Sequence, residues 1–503
     1  MKCVKIHGAG SHKILMVFPD FRYLVKSSDT ITLPQTGPLM SSRTPQTANL
    51  KPVLIHLGGK DSVTGSCHLL VADDVKILVD CGTAQGYDNV KSLTEWPIHP
   101  SDIDYLFLTH AHIDHIGRLP ELITAGFRGE IICTHATKAL LLPLLRDALS
   151  FTEYSTAQKT RLLTSIEDLS WGFEYGQSFN LKKGIQFTLG QAGHILGSSF
   201  IYIQISMPQD SIWSVVFSGD LGNYNTPLLP DPDPPPGCDL LILESTYGDR
   251  LHENRSQRLE HLGTILVKSL ADKGKVFIPA FALGRTQELL YDLDRLFSDK
   301  KWNKHFPELH KKGQGKAPVP FFVDSPLALE ITETYNELSE FWDEEAKSLL
   351  TDHDHPFDFK NLFSVKHFRE HQQIMDYPGP AVIIAGSGMC TGGRIVDHLL
   401  TGLAEKENDI LFIGYQGRGT PGRDILQYAD NHGYVRLKQQ KVTVKAKVHK
   451  LTGYSAHADQ QGLLDWVAAM PAKPGAIRLV HGEKAAQSEL TGKLSAQGYT
   501  VIQ

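Results

Sequence analysis

Nowhere in this 503-residue chain is there an apolar run of the roughly 18 residues that a membrane span needs, and no basic-then-apolar signal segment stands at its start. A soluble cytoplasmic protein is the expectation. The six cysteines, Cys3, Cys67, Cys81, Cys133, Cys238 and Cys390, contain no CxxC pair, which argues against a zinc ribbon and against a disulfide framework. They read as reduced core residues. Surplus positive charge is lacking too: the formal net charge is −6, so the field of the whole molecule repels polyanions, and any nucleic acid must be held locally. Internal repeats and low-complexity tracts are missing. What remains is a globular composition, 41% hydrophobic and 21% charged, on a chain too long for a single core of about 150 residues.

Histidine is what the chain has in plenty: 23 residues, several of them clustered in short Gly- and Asp-containing segments, as catalytic metal sites tend to look. Residues 1–50 read as an extension in which Lys2, Lys5, Lys13, Arg22, Lys26 and Arg43 stand against Asp20 and Asp29, either a packing arm or a basic strap for substrate or partner. Residues 51–248 carry β-branched stretches bounded by Gly and Asp turns, the rhythm of a β-rich sandwich, with helical leucine spacing between 138 and 172. From 249 to 436 helices and strands alternate, with strands expected at KVFIP (275–279), VPFFV (319–323), AVIIA (381–385) and DILFIG (409–414). This predicts a parallel sheet flanked by helices, hence a separate α/β domain. Residues 437–503 return to strands around one helix and complete the first domain, so the second is an insertion.

The segment THAHIDHIG (109–117) follows the buried strand YLFLT. His110 and His112, two apart on extended backbone, point the same way and can share one metal. Asp114 and His115 follow where the chain turns into a helix, which carries them toward a second position; two-metal sites hold their ions about 3.5–4 Å apart. Further ligands are expected at strand ends beside glycine, where the backbone can turn sharply: His194 in AGHILGS, Asp220 in VVFSGDLG and His481 in IRLVHGE. Asp80 in ILVDCG reads as a ligand or as a carboxylate orienting a ligating imidazole.

Asp80, the HAHIDH block, His194 and Asp220 resemble the shared motifs of the metallo-β-lactamase superfamily, which implies an αββα sandwich. That fold hosts several chemistries and does not fix the substrate. Glu244 in LESTYGDR, His457 in GYSAHAD and His481 in LVHGE resemble motifs A, B and C of its β-CASP subgroup of nucleases, as do the stretches PAFALGRTQELL, DSPLA and AGSGMCTGGR. The nearest members in pattern are the compact bacterial ribonucleases and the pre-mRNA 3′-end-processing endonuclease. The resemblance implies two zinc ions, one on His110, His112 and His194, the other on Asp114, His115 and His481, with Asp220 between them. Histidine at motif C implies RNA, single-stranded, as substrate. His457 is expected to protonate the leaving oxygen, with Glu244 supporting its charged form and Asp80 and Asp114 inside the catalytic centre. Products would carry 5′-phosphate and 3′-hydroxyl ends, from an endonuclease for which 5′-exonuclease activity is left open.

For substrate contacts, GSGMCTGGR could present backbone N–H groups to a phosphate around Gly388, with Ser387, Thr391 and Arg394 assisting; a tight turn serving packing is the alternative. His398 reads as an RNA contact or a structural residue, Arg285 and Arg418 as further RNA contacts, and His353 and His355 as a solvated loop more than as ligands. Two other functions fit these residues: a small-molecule hydrolase such as a thioesterase with the insertion as lid, and a nuclease-like subunit acting inside an RNA-processing complex. A homodimer or larger assembly is left open.

Overall fold

The computed structural model describes residues 51–253, 255–310, 319–351 and 355–503. The extension at 1–50 and His353 lie outside the described residues. A six-stranded sheet runs in the order Val53–Gly58, Cys67–Ala72, Val75–Val79, Tyr105–Phe107, Glu130–Thr134, Ser170–Phe173, antiparallel over the first three strands and parallel thereafter. A seven-stranded sheet runs Val501–Ile502, Ala476–Val480, Leu240–Glu244, Ile212–Phe217, Ser199–Ser206, Ile185–Gln191, Ser178–Asn180. Its strands at 178–180, 185–191, 199–206 and 212–217 form the antiparallel part, and its strands at 240–244 and 476–480 pair in parallel.

The two sheets pack face to face, with Leu70, Ile77 and Phe107 of the first meeting Phe187, Ile203, Val215 and Phe217 of the second in one buried cluster. Each such side chain taken from water contributes about 1.5–3 kcal/mol. The outer face of the first sheet is covered by His135–Ser150 and Thr156–Leu169, through Leu140, Leu145, Leu162 and Ile166. Gln460–Ala468 and Lys484–Ala496 cover the second sheet through Leu463, Trp466, Leu490 and Leu494. Strands buried on both faces need no polar alternation, which is why VKILV and LLILE read as near-continuous apolar runs. The architecture is the αββα sandwich that the motif resemblance implies.

The inserted α/β part is built on a fully parallel sheet, ordered Leu362–Ser364, Phe321–Val323, Ala381–Ala385, Lys275–Pro279, Asp409–Phe412, Lys447–Lys450. Its last strand departs from the sequence reading, which ended the insertion at 436 and gave VTVKAKVHKL to the sandwich. Instead Lys447–Lys450 pairs with Asp409–Phe412, Ile410 opposite Val448, and the preceding hairpin Tyr434–Leu437/Gln440–Thr443 packs Val435, Leu437 and Val442 on the same core. Alternation marks a strand but says nothing of which sheet supplies its hydrogen-bond partner. The chain turns back toward the sandwich only through Thr452–Tyr454.

Candidate metal centre

Every expected ligand sits in a loop just past a strand of the sandwich or opening a helix. His110 and His112 follow Tyr105–Phe107, and Asp114 and His115 lie in the short helix Ile113–Ile116. That turn is tied to the neighbouring loop by Cys81 N–H donating to the His115 carbonyl at 2.7 Å and Ser66 N–H to the Asp114 carbonyl at 2.9 Å. The approach is so close that a Cβ on Gly82 would lie 1.5 Å from the Asp114 oxygen, so only glycine fits. The His194 loop is held by the hydroxyls of Thr134 and Thr137, which both donate to the Gly197 carbonyl, at 2.7 and 2.8 Å. Asp80 and His481 adopt the left-handed backbone region, φ 59° and 50°, a costly choice for non-glycine residues that concentrates at functional sites.

These loops bring the side chains into two adjoining groups. In the first, His112 Nδ1 lies 3.1 Å from His110 Nε2 and 3.2 Å from His194 Nε2, and Asp220 Oδ2 lies 3.6 and 3.7 Å from those two Nε2 atoms. In the second, His115 Nε2 is 3.2 Å from His481 Nε2, and Asp114 Oδ2 is 4.0 and 3.5 Å from these nitrogens. Asp220 stands between the groups, its Oδ2 also 3.4 Å from His115 Nε2 and its Oδ1 3.5 Å from His481 Nδ1.

The donor set fits a metal cofactor. Imidazole nitrogens converge at hydrogen-bond distance without enough protons to satisfy each other, and buried Asp220 Oδ1 has no hydrogen-bond partner among the described residues. Asp80 and Asp220 are buried with no lysine or arginine in contact among the described residues, a charge that asks for a cation. Burial also keeps His110, His112 and His194 neutral, the state that offers a lone pair: it pushes His112 down to about 4 and the others well below the usual histidine range. For His115 the desolvation is outweighed by Asp220, Asp80 and Asp114, which raise it well above that range. Asp220, though buried, is held well below the ordinary carboxylate value by His481, His115 and His457.

Asp80 faces away from this convergence. Its Oδ2 accepts from His115 Nδ1 at 2.7 Å and its Oδ1 from Thr109 N–H at 2.9 Å, so it orients a ligand instead of being one. Thr246 does the equivalent for His481, its hydroxyl 3.1 Å from Nδ1. Neither threonine was singled out by its sequence pattern, although Thr109 opens THAHIDHIG and Thr246 lies within LESTYGDR. Beside Asp220, His457 Nε2 lies 3.9 Å from Oδ2 while its Nδ1 meets Glu244 Oε1 at 3.1 Å. Burial opposes the charged imidazole, but Glu244 and then Asp220 outweigh it, and the His457 pKa rises to about 8.

A cavity of about 90 Å³ opens onto His112, Asp114, His194, Asp220 and His457. A larger one of about 1030 Å³ shares His112, Ile113 and Phe281 with it and runs to Ser387, Gly388, Thr391 and Arg394. In that loop, two of the amides offered by the sequence reading are already engaged: Thr391 and Gly392 N–H donate to Ser387 Oγ at 3.0 and 3.2 Å. Arg394 spends Nη1 on Asp324 Oδ1 and the Val365 carbonyl. One expected RNA contact is corrected, and another takes its structural alternative. His398 is buried, its Nε2 bonded at 2.7 Å to Asp324, which also takes His371 at 2.6 Å, so the group is a closed hydrogen-bond cluster. Arg285 is buried and donates to Glu288 and to the Tyr454 carbonyl. Its helical position gave no sign of which way the guanidinium turns. Arg418 is exposed, near Glu483, and His355 is exposed. Among the described residues no helix is long and apolar enough to cross a membrane.

Comparison with known proteins matches residues 62–250 to the metallo-beta-lactamase superfamily, 286–425 to the Beta-Casp domain, and 441–502 to the Zn-dependent metallo-hydrolase RNA specificity domain. A ribonuclease of Thermus thermophilus is 36% identical over 89% of this chain and 97% of its own. A transcription termination factor of Methanococcus maripaludis is 29% identical over 85% of this chain and 66% of its own; cleavage and polyadenylation specificity factor 73 of Drosophila melanogaster is 30% identical over 88% and 61%. The chain thus spans nearly all of the first relative and roughly two thirds of the others. A solved structure of a protein of unknown function from Enterococcus faecalis shares the fold, with a TM-score of 0.50 and 13% identity over 90% of this chain and 97% of that one.

Proposed function

Because the chain belongs to the β-CASP group of the metallo-β-lactamase superfamily, we propose that it is a zinc-dependent ribonuclease hydrolysing single-stranded RNA to 5′-phosphate and 3′-hydroxyl ends. The observation that carries the reading is His457, held by Glu244 beside the clustered histidines and aspartates at the mouth of the cavity. His110, His112, His194 and Asp220 would hold one ion, and Asp114, His115 and His481, with Asp220, the second. Zinc bound there supplies Lewis acidity, lowering the pKa of water toward neutrality and offsetting charge on the phosphoryl oxygens.

The remaining work falls to the chain's own side chains. Asp80 and Thr246 fix the ring orientations of His115 and His481 from behind, so their Nε2 atoms face the centre. With a pKa near 8, His457 carries its proton at neutral pH and can deliver it from Nε2 to the departing 3′ oxygen. Glu244 offsets the imidazolium charge and is itself fixed, Oε1 accepting from Leu221 N–H at 2.8 Å and Oε2 from Thr246 N–H at 3.2 Å. The larger cavity gives an extended strand a path toward Ser387 and Thr391 despite the net negative charge of the molecule.

The test uses 5′- and 3′-labelled RNA and matched single-stranded DNA with the metal-loaded wild type and His457→Ala. Cleavage of RNA with 5′-phosphate products, slowed by about 100-fold or more in the variant, is expected. Intact RNA alongside turnover of a thioester would make the protein a small-molecule hydrolase instead.

A further inference from the structure

Four consecutive carbonyls, from Tyr454 to His457, are gripped by side chains from both parts of the molecule. Arg285 Nη1 donates to the Tyr454 carbonyl at 2.6 Å and Arg255 Nη1 to the Ser455 carbonyl at 3.0 Å. From the sandwich, Asn223 Nδ2 reaches the carbonyls of Ser455, Ala456 and His457 at 3.0, 3.4 and 2.6 Å, and His252 Nε2, from the start of the inserted part, meets that of His457 at 2.9 Å. Glu288 joins the two arginines, its Oε1 accepting from Arg255 Nη2 at 2.8 Å and its Oε2 from Arg285 Nη1. This is an expensive way to satisfy carbonyls that a helix or strand would satisfy unaided, since buried ions lose hydration that their mutual attraction barely restores. What the arrangement secures is a fixed path for a short segment that leaves the turn Thr452–Tyr454 and joins the sandwich through one antiparallel bridge, Gly222 to His457.

We propose that Arg255 and Arg285, joined by Glu288, are positioning residues for His457: by holding the Tyr454 and Ser455 carbonyls they set where the imidazole points. The inserted part of the chain thereby governs proton delivery at a centre whose expected metal ligands all belong to the sandwich. The inference rests on the reading of His457 as the acid that protonates the leaving oxygen. Displacing a reacting group by about 1 Å can lower a rate about 100-fold without altering what binds.

The experiment compares two RNAs that differ only at the scissile linkage, one normal and one with sulfur replacing the 3′ oxygen. A thiolate departs without being protonated, so a defect confined to the acid disappears on it. Arg255→Gln is expected to lower kcat about 100-fold on the normal linkage with KM and metal content unchanged, and to match the wild type within about twofold on the sulfur linkage. Arg255→Lys, which keeps a donor, regains part of the rate. Asn223→Ala releases the Ser455 carbonyl that Arg255 also holds, together with those of Ala456 and His457; it is expected to show the same linkage-dependent loss and decides the matter if Arg255→Gln does not fold. An equal loss on both linkages, or none on either, overturns the proposal. A wild type inert on both RNAs sinks the ribonuclease reading itself, which is a separate result.

Discussion

Replacing Asp80 by asparagine changes one atom and is expected to remove one metal ion. The carboxylate accepts from His115 Nδ1 on Oδ2 and from Thr109 N–H on Oδ1. An amide in its place must keep its oxygen on the Thr109 side, because two N–H donors cannot face each other at 2.9 Å. Its NH₂ is then aimed at His115 Nδ1, which must become the acceptor, and the ring proton moves to Nε2. That nitrogen is the one facing His481 and Asp220, so the lone pair a metal would use is lost. Losing such an outer partner lowers metal affinity about 10- to 100-fold, which is about 1.4–2.7 kcal/mol. The group around His110, His112 and His194 does not touch Asp80 and keeps its ion. Equilibrium dialysis against a series of zinc buffers, read by elemental analysis, should give one ion per Asp80→Asn chain at a free zinc level where the wild type holds two. Equal stoichiometry and affinity in both proteins would refute the orientation argument.

The other expectations are simpler. Glu244→Gln removes the carboxylate that outweighs burial at His457, so the proton leaves below pH 8 and the alkaline limb of the kcat/KM profile moves to lower pH; an unmoved limb would take Glu244 out of the proton chemistry. Arg258→Met strands Asp292, which is fully buried and otherwise bonded to Arg258 at 2.6 Å and to the Tyr454 hydroxyl at 2.7 Å, and should cost about 3–5 kcal/mol in urea unfolding. A loss below about 1 kcal/mol would mean that the pair is relaxed in solution. Chelation should lower Tm, because an ion held at 100 times its Kd contributes about 2.7 kcal/mol to the folded state, and zinc should restore it; a Tm indifferent to chelator would contradict the donor set.

What could be read along the chain was whatever depends on residue type at short range. The HAHIDH block, His194, Asp220 and His481 carry their meaning locally, as ligand-type residues beside turns, and the structure gathers them. Buried strands such as AVIIA declared themselves by apolar runs. Direction and partnership stayed hidden. His398 and Arg394 lie one helical turn apart beside the glycine-rich loop, and nothing in that spacing says that Asp324, from another strand end, engages both of them. Lys447–Lys450 has a strand's pattern but owes its membership of the inserted sheet to Asp409–Phe412, and that allegiance is a hydrogen-bond register, which the side chains of one strand do not encode.

The carbonyl grip on the 454–457 segment is the extreme of this, since its donors come from Asn223, His252, Arg255 and Arg285 and its acceptors are main-chain atoms that every residue possesses. A motif search sees His457 and Glu244 because their chemistry lies in their side chains. It misses what the arginines do because their chemistry here lies in backbone they happen to reach. Arg285 illustrates the consequence: read as a cation near the substrate path, it attracts an RNA contact, yet its guanidinium is spent inward on Glu288 and Tyr454. The same cation acts on the reaction by way of the segment it holds, so substituting it should alter kcat before it alters substrate affinity.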